Sequence, residues 1–287
     1  VIIGTGFMGA SIGAAARAAM VADKVVGIDS AQASTAEKIG LIDQTLSTID
    51  EIASLRPEGV ASHRIGVVVA APISACGAIF AALEAIHARC PLAWVTDIAS
   101  SKHGVVQAAR AHLHSLASRF VSSHPMAGSE RQGAAAANPR LIAGARVLIS
   151  PLPATDMDVT AEVESFWLAL GGVPSPMPID DHDMLLAMIS HLPHALAFSL
   201  AGAISGTPMA GAAQALHGGG LRDTTRIAAS SPELWADILL DNRECVLDAW
   251  SGWLIQLRAM QHALERHDRE ALVALLAEAS TWRKGFQ

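Results

Sequence analysis

Within its first thirty residues the chain carries Gly4-Thr5-Gly6-Phe7-Met8-Gly9, with Asp29 twenty residues beyond Gly9. The short β-branched run Val1–Ile3 precedes the glycines, and an alanine-rich helical stretch follows them. A G-x-G-x-x-G element between a strand and a helix has a narrow set of uses. The first glycine permits a tight turn, the second lets backbone approach a pyrophosphate, and the third allows close packing of helix on strand. The helix N-terminus then offers unbonded N–H groups and a favourable dipole to the anion. Gly4, Thr5, Gly6, Phe7, Met8 and Gly9 are therefore the expected dinucleotide loop. Asp29, at the end of the next strand, is expected to accept hydrogen bonds from the ribose hydroxyls. No Arg or Lys lies between Asp29 and Lys38 to neutralise a 2′-phosphate, so NAD is expected over NADP.

The surrounding pattern agrees. Short β-branched runs alternate with helical stretches through the first 150 residues, as in a parallel α/β sheet. The expected strands are Val1–Ile3, Val25–Ile28, Gly66–Ala71, Ala93–Thr96, Phe120–Ser123 and Ala145–Ile149. A helix from about Met157 to Leu170 follows, and Pro174, Pro176 and Pro178 mark a boundary. Ala71-Pro72, ending one of these strands, is placed where the nicotinamide end of the cofactor could pass, and a plain strand terminator is the equal alternative. Beyond the boundary the chain reads as helix, with breaks at Gly206-Thr207-Pro208 and Gly218-Gly219-Gly220. Ser231-Pro232-Glu233 supplies an N-cap, a proline at the first helical position and an acid in the first turn. The expectation is a Rossmann-type parallel-sheet domain over residues 1–177 and an all-α domain over 178–287.

Composition excludes other classes. With 51% hydrophobic and 16% charged residues the chain is globular, and its net charge of −7 without a basic run argues against nucleic acid. The uncharged stretch 65–83 is divided by Pro72 and Gly77, so a membrane span is rejected there. Val1 reads as the edge of a strand, not as a signal peptide. Three cysteines without a C-x-x-C pair fit a reducing, cytoplasmic setting.

Four polar clusters interrupt the apolar stretches. Asp97–Lys102 sits at a strand end, where open α/β sheets bind ligands; Ser100 there is either a helix cap or a substrate contact. Ser123–Glu130 holds His124, which can accept the proton of a hydroxyl undergoing oxidation. In Ser190-His191-Leu192-Pro193-His194, His191 and His194 share a face at i, i+3. In a straight helix His182 falls half a turn away, so no three-histidine metal site is expected. Pro193 leaves the Ile189 carbonyl unbonded and should kink the helix. Arg222 and Arg226 lie at i, i+4 and gain nothing from each other; Asp223 is an available i, i+3 partner for Arg226, and a substrate carboxylate is the functional alternative.

At these clusters the chain resembles the prephenate and arogenate dehydrogenases of tyrosine biosynthesis. The matching stretches are Gly4–Gly13, Val95–Lys102, Ser123–Gly133, His182–His194 and Gly219–Trp235, in the family's order and spread over nearly the whole chain. The resemblance implies the minimal form, with no added mutase or regulatory segment, a homodimer built by the helical domain, and oxidative decarboxylation of a cyclohexadienol by NAD. It implies that His124 is the histidine that hydrogen-bonds the substrate hydroxyl, with Ser100 beside it. It further implies that Arg226 anchors a carboxylate and that His194 lines the same pocket. Ser129, Glu130, Asp223 and Trp235 match positions near the pocket mouth or dimer contact. Other hydroxyacid dehydrogenases or imine reductases with a helical domain, and a non-catalytic dinucleotide sensor, are the competing readings. The first two usually place a lysine or asparagine near the nicotinamide, and the sensor has no need of His124 together with Arg226.

Overall fold

The computed structural model describes residues 1–55, 64–128 and 131–286. Eight strands form one sheet in the order β3-β2-β1-β4-β5-β6-β7-β8. They are β1 (Ile2–Ile3), β2 (Val26–Ile28), β3 (Gln44–Leu46), β4 (Gly66–Val69), β5 (Trp94–Asp97), β6 (Phe120–Pro125), β7 (Arg146–Pro151) and β8 (Val173–Pro176). β1 to β6 run parallel, and the order reverses outward from β1, between β1 and β4. Open α/β sheets bind ligands at such a reversal.

Both faces of the sheet are covered. Val67, Val69 and Val95 point into a core with Phe80, Leu83 and Val105 of α3 (Ile73–His87) and α4 (His103–His112). Their neighbours Ile2, Val68, Val121 and Ile149 point the other way. They pack on Ile12 of α1 (Phe7–Ala18) and Trp167 of α5 (Met157–Ala169). Alternation along buried strands puts an apolar side chain on each face, which is why these segments read as unbroken apolar runs.

The sheet departs from the sequence reading in two ways. β7 is antiparallel to β6, and β8 is parallel to β7, so the sheet is mostly rather than wholly parallel. β3 and β8 are strands that the sequence pattern does not announce. β3 is a three-residue edge of mixed polarity. β8 contains Pro174 and Pro176, which mark the end of the sheet itself. As the outermost strand it needs partners on one side only, and an edge tolerates prolines.

The second part of the chain is helical: α6 (Ile179–Leu186), a π-turn (Ala187–His191), α7 (Leu192–Ser205), α8 (Ala210–Leu216), α9 (Gly219–Thr225), α10 (Pro232–Asp241), α11 (Arg243–Glu265) and α12 (Arg269–Lys284). Ser231 caps α10 as its sequence suggests, accepting from the Leu234 N–H at 3.2 Å. The segment 179–205 is long and apolar enough to cross a membrane by length and composition. It is broken by the π-turn and buries two histidines, His182 and His191.

Candidate active site

Three chain segments meet at the glycine loop. Gly4 has φ +91°, and a Cβ there would lie 2.4 Å from the Ala70 carbonyl oxygen, so only glycine fits the turn. The end of β4, leading into Ala71 and Pro72, is thereby packed directly against the loop. A Cβ on Gly9 would collide with the Gly4 carbonyl oxygen, and helix and strand touch. A Cβ on Gly6 would meet nothing within 4 Å, and no side chain caps the first turn of α1. Two of the glycines are filled by the protein and the middle one faces open space, as a loop shaped for an anionic group requires.

Asp29 follows β2 and is held by backbone. Its Oδ2 accepts the Thr5 N–H at 2.8 Å, and its Oδ1 accepts Ala31 N–H at 2.8 Å and Gln32 N–H at 2.9 Å. A carboxylate has about four acceptor sites. These three bonds leave capacity chiefly on Oδ2, the oxygen already tied to the dinucleotide loop.

Past the end of β5, a buried ion pair joins two strands. The Lys102 ammonium donates to Asp97 Oδ2 at 2.6 Å, to Ala99 O at 2.9 Å and to Ser123 O at 2.7 Å. Asp97 Oδ1 accepts from Ser122 Oγ at 2.7 Å. Ser123 Oγ accepts from Thr96 Oγ1 at 2.7 Å and from Trp167 Nε1 at 3.1 Å. β6 is thus fixed by polar bonds immediately before His124.

His124 is buried, and its Nδ1 lies 3.0 Å from His182 Nε2. His182 is fully buried, and its Nδ1 lies 2.8 Å from Asp183 Oδ1. Asp183 also accepts the backbone N–H of Lys102 at 2.8 Å and of His103 at 2.9 Å. Burial pushes the Asp183 carboxyl upward, but the bonds from His182, Lys102 and His103 outweigh it and hold it below the usual range. Burial lowers His124 well below an ordinary histidine, with nearby Lys102, His182 and His191 adding to the effect. Burial also lowers His182, against the pull of Asp183. The ionised carboxylate can only accept, so His182 carries its proton on Nδ1 and accepts at Nε2. His124 then donates from Nδ1. Its Nε2 is left with a lone pair.

This row corrects the expectation that His182 lies on the far side of its helix from His191. That expectation assumed 100° per residue throughout. The π-turn over Ala187–His191, just before Pro193, breaks the phase, and His182 and His191 both end fully buried. His191 Nδ1 accepts from Asn242 Nδ2 at 2.9 Å, which also donates to Asp183 O at 2.7 Å. Burial lowers His191 to about 4 against the pull of Asp183, and the backbone of Ser100 acts on the same ring. Ser100 itself is half-buried in the β5–α4 loop. Among the described residues no three His, Cys, Asp or Glu side chains are grouped to hold a metal ion.

His194 stacks on Trp235, with ring centroids 3.5 Å apart and planes 17° from parallel. Its Nδ1 lies 2.8 Å from Ser190 O, which as an acceptor fixes the proton on Nδ1 and leaves Nε2 a lone pair. Burial lowers His194, and Arg226 contributes to the lowering, so the arginine's charge reaches this ring. Arg226 is exposed, and no ion pair of it is found among the described residues. Asp223 pairs with its neighbour Arg222 at 3.1 Å, not with Arg226. The one intramolecular partner the spacing offered is therefore taken elsewhere. Ser129 and Glu130 lie outside the described residues.

The sequence reading missed Asp183 and Asn242, and placed His182 wrongly. An Asp beside a His in the run Asp180-Asp181-His182-Asp183 was a usable signal for the first. Nothing local marks Asn242, whose partners lie 51 and 59 residues away.

The chain is similar to proteins of known kind. Residues 178–278 match the family described as prephenate dehydrogenase, dimerization domain, and residues 12–174 match prephenate dehydrogenase, nucleotide-binding domain. A prephenate dehydrogenase of Bacillus subtilis is 30% identical over 292 residues, covering 99% of this chain and 75% of its own length. A cyclohexadienyl dehydrogenase of Zymomonas mobilis is 30% identical over 223 residues, covering 76% and 73%. Among solved structures, the prephenate dehydrogenase of Aquifex aeolicus, in complex with hydroxyphenyl propionate and NAD+, superposes with a TM-score of 0.86. It is 32% identical and covers 100% of this chain and 97% of its own. The arogenate dehydrogenase of Synechocystis gives a TM-score of 0.78 at 25% identity, covering 100% and 99%.

Proposed function

This chain belongs to the prephenate dehydrogenase family, and from that premise we propose how its own residues carry out the family's reaction. The protein is an NAD-linked oxidoreductase that oxidatively decarboxylates prephenate or arogenate, forming 4-hydroxyphenylpyruvate or tyrosine. In that reaction hydride leaves the ring carbon bearing the hydroxyl, carbon dioxide leaves the opposite carbon, and the ring becomes aromatic. The hydroxyl proton passes to a base as the carbon that loses hydride becomes carbonyl-like, and it returns to that oxygen when loss of carbon dioxide turns the ring into a phenol. NAD supplies the hydride acceptor when bound. Gly4 to Gly9 hold its pyrophosphate, Asp29 its adenosine ribose, and Ala71 and Pro72 border the nicotinamide side.

The observation that carries the catalytic assignment is the row from His124 through His182 to Asp183. It leaves His124 neutral, with an acceptor nitrogen directed away from its bonded edge. Such a group hydrogen-bonds the substrate hydroxyl and takes its proton as hydride departs. Asp183 orients the row and stabilises the imidazolium that forms, in the way a buried carboxylate serves a paired histidine. Ser100, beside His191, is assigned a second contact to the hydroxyl. Aromatisation drives the chemistry, so orientation is the protein's main task.

Arg226 binds a substrate carboxylate through its two-pronged guanidinium. His194, stacked on Trp235, lines the same pocket. Asp223, already paired with Arg222, tunes the charge at the pocket mouth, and Ser129 and Glu130 are assigned to that mouth by motif position. The domain boundary falls at residues 177 and 178. The helical part builds a homodimer, and the enzyme works in the cytoplasm.

The direct test is steady-state NADH formation with prephenate and with arogenate, each with NAD and NADP. Turnover of at least one of the two with NAD is expected. Turnover of simple 2-hydroxy acids with none of either cyclohexadienol would favour the competing hydroxyacid reading.

A further inference from the structure

We propose that Lys102 is a positioning residue for the oxidation at His124, gripping the catalytic row at both of its ends. The inference rests on the reading of His124 as the hydroxyl's acceptor. Its basis is a closed ring of hydrogen bonds. The Lys102 backbone N–H donates to Asp183 Oδ1 at 2.8 Å. Asp183 Oδ1 faces His182 Nδ1 at 2.8 Å, and His182 Nε2 faces His124 Nδ1 at 3.0 Å. The carbonyl preceding His124, Ser123 O, accepts from Lys102 Nζ at 2.7 Å. One residue thereby fixes the carboxylate that sets the tautomers and the strand that carries the reacting ring.

The ion pair is also placed where stability alone does not call for it. The side chains of Lys102 and Asp97 are 2% and 1% exposed. Removing two charges from water costs several kcal/mol per ion, and a well-packed apolar pair of similar volume is often as stable or more so. Here all three ammonium protons are taken, by Asp97 Oδ2, Ala99 O and Ser123 O, so the lysine is held in one place. Its charge faces His124 from the β5–α4 loop, while His182 faces it from α6 and His191 from the π-turn. Of the three, Lys102 is the one joined to a carboxylate in an ion pair, with Asp97 at 2.6 Å. It opposes a resting proton on His124 and keeps the ring free to accept one from substrate.

The test uses the double variant Asp97→Asn/Lys102→Met, which leaves neither charge buried alone, beside Lys102→Arg, which keeps the charge. In the double variant kcat is expected to fall by about tenfold or more, since small misplacements of reacting groups cost up to about a hundredfold. KM for NAD should stay within about threefold of wild type. The acidic limb of the kcat profile should move to higher pH, because Lys102 opposes protonation of His124 and Asp97, removed with it, is not among the groups that act on this ring. In Lys102→Arg the limb should stay near its wild-type position even where kcat falls. A double variant with an unmoved limb, whether kcat or melting temperature drops or not, overturns the role of Lys102. His124→Asn, run in parallel, separates the two claims. A limb that survives in that variant overturns the reading of His124 itself. One that vanishes there upholds His124, and the shift in the double variant then decides for or against Lys102.

Discussion

His124 and His182 share one hydrogen bond, Nδ1 to Nε2 at 3.0 Å, between the end of β6 in the sheet and α6 in the helical part. The two rings lie 58 residues apart in sequence. If His124 takes the proposed role, the bond makes the helical domain part of the catalytic apparatus, because Asp183, which faces His182 Nδ1 at 2.8 Å, sits on that domain.

Cofactor choice follows from Asp29. Its carboxylate is fixed by three backbone N–H groups, so it cannot swing aside to admit a 2′-phosphate. NAD should exceed NADP in kcat/KM by at least about tenfold, equivalent to ~1.4 kcal/mol. Equal efficiencies in steady-state assays would contradict this role.

Arg226 should act on binding more than on chemistry. A carboxylate held in ground and transition states alike gives Arg226→Ala a KM raised by about one to three orders of magnitude with kcat little changed. Loss of kcat at constant KM would instead put Arg226 at the reacting carbon.

The buried and half-buried histidines tie stability to pH. His124, His182, His191 and His194 all have folded pKa values below their ordinary value of 6.5, and His191 lies at about 4. The unfolded chain binds protons in that window and the folded chain does not, so stability is complete above about pH 6.5 and falls as pH drops toward 4. Asp183, also depressed, adds a further loss below its ordinary 3.8. Denaturant midpoints should therefore decline steadily through this range. A midpoint constant from neutrality down to about pH 4 would show that these rings are not held neutral.

The last two helices leave an apolar surface on the single chain. Leu247, Ile255, Leu257, Leu264, Val273 and Leu276 of α11 and α12 are all more than 40% exposed in the single chain. Such a surface belongs in an interface. Trp235, which the family resemblance puts near the pocket mouth or dimer contact, is only 9% exposed and stacks on His194. Sedimentation at micromolar concentration should give a dimer, and a stable monomer would contradict the assignment.

Much of this was legible in the sequence because it depends on local order. The glycine loop, the apolar strands and the Ser231 cap each follow from residues a few positions apart, and Asp29 from its interval of twenty residues after Gly9. His124 and Arg226 could be singled out by residue type and place. What escaped the sequence was geometry over distance. Edge strands β3 and β8 carry little hydrophobic pattern, since an edge buries less and tolerates proline. The antiparallel turn at β7 leaves no mark in composition. His182 was misplaced because a π-turn alters helical phase without a distinctive residue pattern. Asn242 and the Lys102 ring join residues from separate elements, and no spacing rule encodes such contacts.

The central claim is that His124 is the neutral acceptor for the substrate hydroxyl, and the pH profile of His124→Asn tests it most directly. In the wild type kcat should fall at low pH as His124 gains a proton, along a limb lying below the ordinary histidine value because burial lowers this ring. In His124→Asn kcat should drop by about 10²- to 10⁴-fold, typical of lost general-base help, with KM nearly unchanged and that limb gone. NAD affinity should be the same in both proteins, as His124 lies outside the dinucleotide loop. A variant that keeps near-normal kcat, or retains the acidic limb unaltered, would show that His124 is a buried structural residue and that the proton leaves by another group.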